Sequence, residues 1–310
     1  MFLNLPAKSI GQVGGGKSER CGTVDIAIIQ STHGKEGVKD FVAEYGRVIV
    51  DECHHLSAFT FEQVMKQVKA KYVLGLTATP ERKDGHHPII YMQCGPIRHK
   101  LSARSMTAAT PFEHEVIPRL TEFLLPPEQA HPTIQEMYAA LADDRARNEL
   151  IVADLLRAVG DRRSPLLLTG RTNHLKYFET ALSGKVSNVF VLKGGMGKKQ
   201  RRTVAEAMAA VPESEPRVIL ATGSYIGEGF DDARLDTLFL AMPISWKGTL
   251  QQYVGRLHRL HEAKHVVRVY DYVDSQVLML ARMYARRLKG YGAIGYRIVT
   301  KGANGPSSQD

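Results

Sequence analysis

The chain has 310 residues, with 44% apolar and 24% charged side chains, enough to bury the cores of about two ordinary domains. No apolar run is long enough to span a membrane as a helix, and the first residues lack the charged and apolar regions of a secretory leader. Formal net charge is +9, and the three cysteines are sparse and without metal-ligand spacing, which fits a reducing, cytoplasmic setting better than a disulfide framework.

In chain order, residues 11–18 read GQVGGGKS. They fit the phosphate-loop pattern G-x-x-x-x-G-K-[ST], which works only when a strand feeds the loop and a helix leaves it. Here an apolar run, residues 24–29, follows too soon for a helix, so the segment reads as a Gly-rich turn before a buried strand. Residues 35–45 carry Val38, Phe41, Val42 and Tyr45 at helical spacing. Val48, Ile49 and Val50 then predict a short buried strand, with Asp51 and Glu52 at its carboxyl end. Ligands of open α/β sheets bind at that end, and paired carboxylates there suit a hydrated Mg2+ and the activation of a water. Residues 60–68 predict a core helix. Residues 72–76 predict a strand that runs into Thr77, Ala78, Thr79 and Pro80.

Residues 95–132 hold six prolines, and pieces such as 115–117 fit an edge strand or a linker. Residues 133–159 predict one long helical region. Beyond it strand and helix alternate, as in a parallel sheet. Strands are expected at 166–169, 189–192, 218–222, 238–241 and 266–273, and helices at 174–182, 200–211 and 249–257. From residue 246 to 302, eleven Lys and Arg face three acids, a balance that suggests an anionic partner, nucleic acid first, or a merely solvated basic face. The last nine residues read as a disordered tail.

Together these segments resemble the superfamily 2 helicases and translocases of DExH type, in the manner of XPB-like and restriction-subunit-like DNA motors. Asp51-Glu52-Cys53-His54 resembles the acidic box and Thr77-Ala78-Thr79 the coupling motif. Thr169-Gly170-Arg171 resembles the opening motif of the second lobe, residues 221–232 the fifth motif, and QYVGRLHR at 252–259 the sixth. The resemblance implies an α/β fold of two RecA-like lobes with mainly parallel sheets, the first lobe incomplete. Its expected divisions are 1–98 for the first lobe, 99–145 for a linker and connecting helix, 146–300 for the second lobe and 301–310 for the tail.

The resemblance also implies ATP as substrate and Mg2+ as cofactor. Asp51 would hold Mg2+ through water, Glu52 would activate the attacking water, and His54 would link the box to the second lobe. Thr77, Thr79, Arg171 and Thr222 would serve nucleic-acid grip. Gly229, Asp231 and Gln252 would approach the nucleotide, and Arg256 and Arg259 would act as arginine fingers. The implied track is DNA, with RNA the alternative, and the implied partner is a nuclease or restriction-type subunit. Two departures matter. The fifth motif carries one residue more than the common form, and the phosphate-binding motif would lie before Met1, so the expectation is a truncated motor. The competing expectation is a nucleic-acid-binding regulatory module that lacks the phosphate loop.

Overall fold

The computed structural model describes residues 5–35, 37–53, 58–77, 87–101, 103–108, 110–125, 132–223, 225, 230–244 and 247–299. The chain divides into two compact units, Met1–Lys100 and Leu101–Asp310.

In the first unit, β1 (Ile10–Gly14) pairs antiparallel with β2 (Lys17–Glu19) and parallel with β3 (Val24–Ala27). The match to a phosphate loop is therefore a hairpin. Its two-residue turn is Gly15-Gly16, with φ of 62° and 85°. Positive φ at both central positions makes the turn whose twist suits a hairpin, and glycine adopts it without strain. β3 is not the buried strand the sequence suggests, because Ile26 is 62% exposed.

The helix expected at 35–45 does not form. A two-residue ladder joins β4 (His33–Gly34) to β5 (Gly37–Val38), and a 3-10 turn follows at Asp40–Ala43. Gly37 sits at φ 113°, which no α-helix accommodates. β6 (Arg47–Val50), α1 (Ala58–Gln67) and β7 (Tyr72–Gly75) form a parallel βαβ unit. Phe61, Val64 and Met65 of α1 are buried, whereas Ile49 and Leu74, register partners across the two strands, are exposed. α2 (His87–Cys94) closes this unit. Gly75 makes room for it, because a Cβ there would lie 3.0 Å from the Cys94 Sγ.

The second unit is built on one parallel sheet of seven strands, ordered β10-β11-β9-β12-β13-β8-β14. Its strands are β8 (Glu113–Leu120), β9 (Pro165–Thr169), β10 (Val189–Leu192), β11 (Val218–Thr222), β12 (Thr237–Leu240), β13 (Val266–Val273) and β14 (Arg297–Ile298). The segment read as edge strand or linker around 115–117 is thus an internal strand, in register with β13 from Glu113 to Leu120 and flanked by β14.

Alternate residues point to opposite faces of a strand, and both faces are covered here. Leu166, Leu168, Ile219, Leu238 and Leu240 meet α8 (Lys247–Gly255) and α9 (Leu278–Ile294) through Leu250, Val254, Tyr291 and Ile294. Leu167, Val218, Leu220 and Phe239 meet α5 (Arg145–Gly160) and α6 (Thr172–Leu182) through Ile151, Leu155, Leu175 and Phe178. Each such side chain contributes roughly 1.5–3 kcal/mol by leaving water. α7 (Lys198–Ala210) connects β10 to β11.

The single helical region expected at 133–159 is two helices. Asp144 ends α4 (Ile134–Asp143) and caps α5, accepting a bond from the Arg147 N–H at 2.7 Å. α4 itself starts on a reciprocal box between Thr133 and Glu136. α3 (Ala103–Ala108) and α9 were not anticipated from the sequence.

Candidate nucleotide and nucleic-acid sites

In the first unit the acid pair stands where the sequence puts it, directly after β6. Both residues are exposed, and the Glu52 N–H donates to the Asp51 Oδ1 at 2.9 Å. Glu52 has φ 45°, a left-handed conformation uncommon outside glycine that costs on the order of 1–2 kcal/mol. The turn is fastened by the buried Cys53, whose N–H donates to the Leu76 carbonyl at 3.1 Å. That bond sets the acid pair beside the start of the second predicted segment, because Thr77 follows Leu76. His54 and Thr79 lie outside the described residues, as does Gly229.

In the second unit the predicted residues fall into two groups at opposite edges of the sheet. At the carboxyl edge, Thr169 and Thr222 end neighbouring strands as register partners. Thr222 Oγ1 accepts from the Gly194 N–H at 3.3 Å. Arg171 opens α6, and its guanidinium donates to the Gln135 carbonyl at 3.3 Å. A buried chain of bonds underlies this edge. Asn148 donates to the Ala142 carbonyl at 2.7 Å, and its Oδ1 lies 2.8 Å from His174 Nε2. His174 Nδ1 lies 3.0 Å from Thr169 Oγ1, which accepts from the Arg171 N–H at 3.3 Å. Burial holds the His174 imidazole neutral, with its pKa pushed down to about 3.

The other group lies toward the amino edge. α8 carries the half-buried Gln252 and passes into a 3-10 turn, Arg256–His258. Arg256 is half-buried, and the exposed Arg259 donates through Nε to the Asp231 Oδ1 at 2.9 Å. Asp232 beside it is bonded to Arg217, at the foot of β11. The fifth- and sixth-motif segments also touch through packing, because a Cβ on Gly223 would overlap the Tyr253 hydroxyl. Close approach of α9 to α8 depends on Gly290, where a Cβ would stand 3.0 Å from the Leu250 Cδ2.

His258 is partly buried: its Nε2 lies 2.9 Å from the Tyr296 Oη, and burial pushes its pKa down to about 4. The structure therefore brings Asp231 to Arg259, and Thr169 to Thr222, but separates these pairs from each other.

Sequence reasoning missed the groups that hold these edges in place, among them Lys264, Asn148, His174 and Arg217. Their only sequence signal is polarity inside apolar surroundings. Much of the basic excess at 246–302 is also taken up by ion pairs within the chain, some buried and some on the surface. Arg287 pairs with Asp271, Arg268 with Glu115, Arg297 with Glu113 and Glu115, and Arg259 with Asp231, while Lys264 is buried. Arg282, Arg286 and Lys289 remain on the exposed face of α9.

Among the described residues no helix is long and apolar enough to cross a membrane, and no cluster of three or more His, Cys, Asp and Glu forms a ready metal cage. The acid pair at the end of β6 still fits a hydrated Mg2+, which keeps several waters and uses one or two carboxylates beside substrate phosphates. The hairpin at residues 11–18 does not fit a phosphate cradle, since β2 rather than a helix N-terminus follows its glycines.

Comparison with known proteins adds the following. A family model described as the res subunit of type III restriction enzymes matches residues 5–82. Protein L396 of Acanthamoeba polyphaga mimivirus, provisionally named an ATP-dependent RNA helicase, is 25% identical over 256 residues, 80% of this chain and 47% of its own length. The DNA 3'-5' translocase XPB2 of Sulfurisphaera tokodaii is 22% identical over 285 residues, 82% of this chain and 63% of its own.

Among solved structures, a fragment of a provisionally assigned HsdR subunit of a type I restriction enzyme from Vibrio vulnificus YJ016 matches with a TM-score of 0.66. It is 20% identical, with 95% of this chain and 55% of that one covered. Dbp5 of S. cerevisiae, bound to RNA and ADP BeF3, matches with a TM-score of 0.62 at 10% identity, with 94% of this chain and 70% of that one covered. The chain spans 47%, 60% and 62% of the length of three of the curated relatives it matches.

Proposed function

The chain is a protein of the superfamily 2 helicase type, and from that premise we propose that it works as an ATP-dependent motor on nucleic acid, with DNA as its track. The observation that carries the reading is the exposed Asp51–Glu52 pair, held at the carboxyl end of a parallel strand by a strained turn. Asp51 would hold Mg2+, which would supply neutralising charge for phosphate oxygens when bound. Glu52 orients the attacking water and takes its proton. Arg256 and Arg259 offer planar guanidinium groups to the charge that develops on the transferred phosphoryl group. Gln252 and Asp231 flank those arginines. Arg171, Thr222 and Thr77 grip the nucleic-acid backbone, a contact that reads phosphate rather than sequence.

DNA is favoured over RNA by the resemblance to restriction-subunit and XPB-like motors. The same resemblance, together with the match at residues 5–82, supports work alongside a nuclease or restriction-type subunit. The three cysteines are all free thiols, in keeping with a cytoplasmic setting.

A second reading follows from the hairpin at residues 11–18, which supplies no phosphate cradle. On that reading the chain binds nucleic acid as a regulatory module and turns over little ATP. Salt-dependent binding to single-stranded and duplex DNA, measured beside ATP hydrolysis, separates the two. A motor shows both binding and Glu52-dependent hydrolysis, and a module shows steeply salt-sensitive binding alone.

A further inference from the structure

Lys264 is a buried cation outside every motif described above. It follows Arg259 by five residues and is 5% exposed. Its Nζ donates to the Leu257 carbonyl at 2.8 Å and to the Arg259 carbonyl at 2.7 Å. The ammonium also stands 5.4 Å from the centroid of the Phe112 ring, at the foot of β8. Leu257 itself is fully buried, so its carbonyl marks a fixed point of the core.

The last carbonyls of a helix have no partner within it, and a cation there meets both the orphan oxygens and the negative end of the helix dipole. α8 tightens into the Arg256–His258 turn and stops at Arg259, whose backbone is extended at φ −63° and ψ 133°. Lys264 bonds a carbonyl inside the turn and the carbonyl at that stop, within the segment that carries Arg256 and Arg259. His258, between them, is anchored on the other side by Tyr296.

We propose that Lys264 is a positioning residue for hydrolysis: its ammonium clamps the carbonyls of Leu257 and Arg259 and so fixes the backbone from which Arg256 and Arg259 reach phosphate. The inference rests on the motor reading above for its catalytic consequence, but not for its structural one. The groups that face the ammonium are the two carbonyls, the Phe112 ring and, at longer range, Asp232 and Asp236, with His258 and His114 on the neighbouring ring cluster. Burial pushes the Lys264 pKa down to about 8 against the pull of the two aspartates. The clamp is therefore charged at neutral pH and loses its charge in mildly alkaline solution, while both histidines stay neutral across that range.

The test compares the full chain with Lys264→Met, which keeps the stem and removes the ammonium. Two quantities are read from pH 7 to 9.5: backbone amide exchange over residues 256–263, and kcat and KM for ATP in the presence of DNA. Exchange in the variant should be at least tenfold faster in that segment, with β9, β11 and β12 unchanged. Its kcat should be at least tenfold lower, with KM within threefold. The wild-type kcat should fall as pH rises through about 8, and the variant's should not follow it. Wild-type exchange and kcat in the variant would overturn the proposal. If the wild-type chain hydrolyses no ATP, the motor reading fails and the exchange comparison alone decides on Lys264. If Lys264→Met does not fold, the wild-type pH series decides: local exchange and kcat that ignore the step near pH 8 would overturn the clamp.

Discussion

Arg259 donates from its Nε to the Asp231 Oδ1 across 2.9 Å, which joins the end of the sixth-motif segment to the loop that precedes β12. Both side chains are about half exposed, 54% and 53%. An ion pair in that setting contributes no more than about 1 kcal/mol to folding. Its value lies in aim, because it holds the guanidinium through Nε. Arg259→Ala should therefore leave the melting temperature within ~3 °C of the parent and lower ATP turnover by ~10³. Calorimetry with steady-state hydrolysis checks both. A large loss of stability with little change in turnover would make Arg259 a structural residue.

The hairpin at residues 11–18 gives a second expectation. Lys17 sits on β2, opposite Gly14, not at the mouth of a helix. Lys17→Ala should then leave ATP turnover within about twofold, where a true phosphate-loop lysine would abolish it. Gly15→Ala or Gly16→Ala should each destabilise the first unit by about 1 kcal/mol, because φ is positive at both. Denaturant unfolding of the three variants reads the difference.

Arg287 and Asp271 meet twice at 2.8 Å, with side chains 3% and 1% exposed, and the Tyr291 hydroxyl donates to the same carboxylate at 2.9 Å. Truncating one member of such a pair leaves a buried charge alone. Arg287→Met should cost about 3–5 kcal/mol in urea unfolding. The double change Arg287→Met with Asp271→Leu should recover part of that loss, and no recovery would show that the pair does not account for the cost.

Two buried histidines, His114 and His174, and the partly buried His258 set the acid response. Burial lowers the pKa of His174 to about 3 and those of His114 and His258 to about 4, from an ordinary 6.5. Below pH 6.5 the unfolded chain takes up protons that the folded chain refuses. Stability should be full above about pH 6.5 and decline as pH falls toward 4, by roughly 1.4 kcal/mol per pH unit for each histidine. His174→Gln should flatten that slope by about one histidine's share in a series of urea midpoints. An unchanged slope would mean that His174 is protonated in the fold.

The second unit was readable from sequence to a large degree because parallel strands announce themselves. Leu166 to Thr169 and Val218 to Thr222 are unbroken apolar runs ending in a hydroxyl, as suits strands covered on both faces, whereas their pairing as neighbours is seen only in the structure. The first unit was less legible. Residues 35–45 carry helical spacing, but Gly37 at φ 113° selects a bridge between two short strands instead. The β8 segment reads as an edge strand or a linker because proline crowds its surroundings, although it is an internal strand with Pro118 in register with Asp271. The charge count at 246–302 could not tell spent cations from displayed ones, since Arg287 and Arg268 find their acids only after folding. Of the site, the acid pair and the two arginines were visible as motifs. Lys264 was not, because its partners are backbone carbonyls that leave no trace in sequence, and the His174 chain was not, because Asn148, Thr169 and His174 meet only after folding.

The most direct measurement is ATP hydrolysis by the whole chain with and without DNA, for the parent, Glu52→Gln and Lys17→Ala. Turnover by the parent should be slow and stimulated by DNA. Glu52→Gln should lower it by at least about a hundredfold, because it removes the group that accepts the water's proton, while Lys17→Ala should keep it. Turnover indifferent to Glu52→Gln, or no turnover beside intact salt-sensitive DNA binding, would contradict the motor reading and leave the binding module as the reading of this chain.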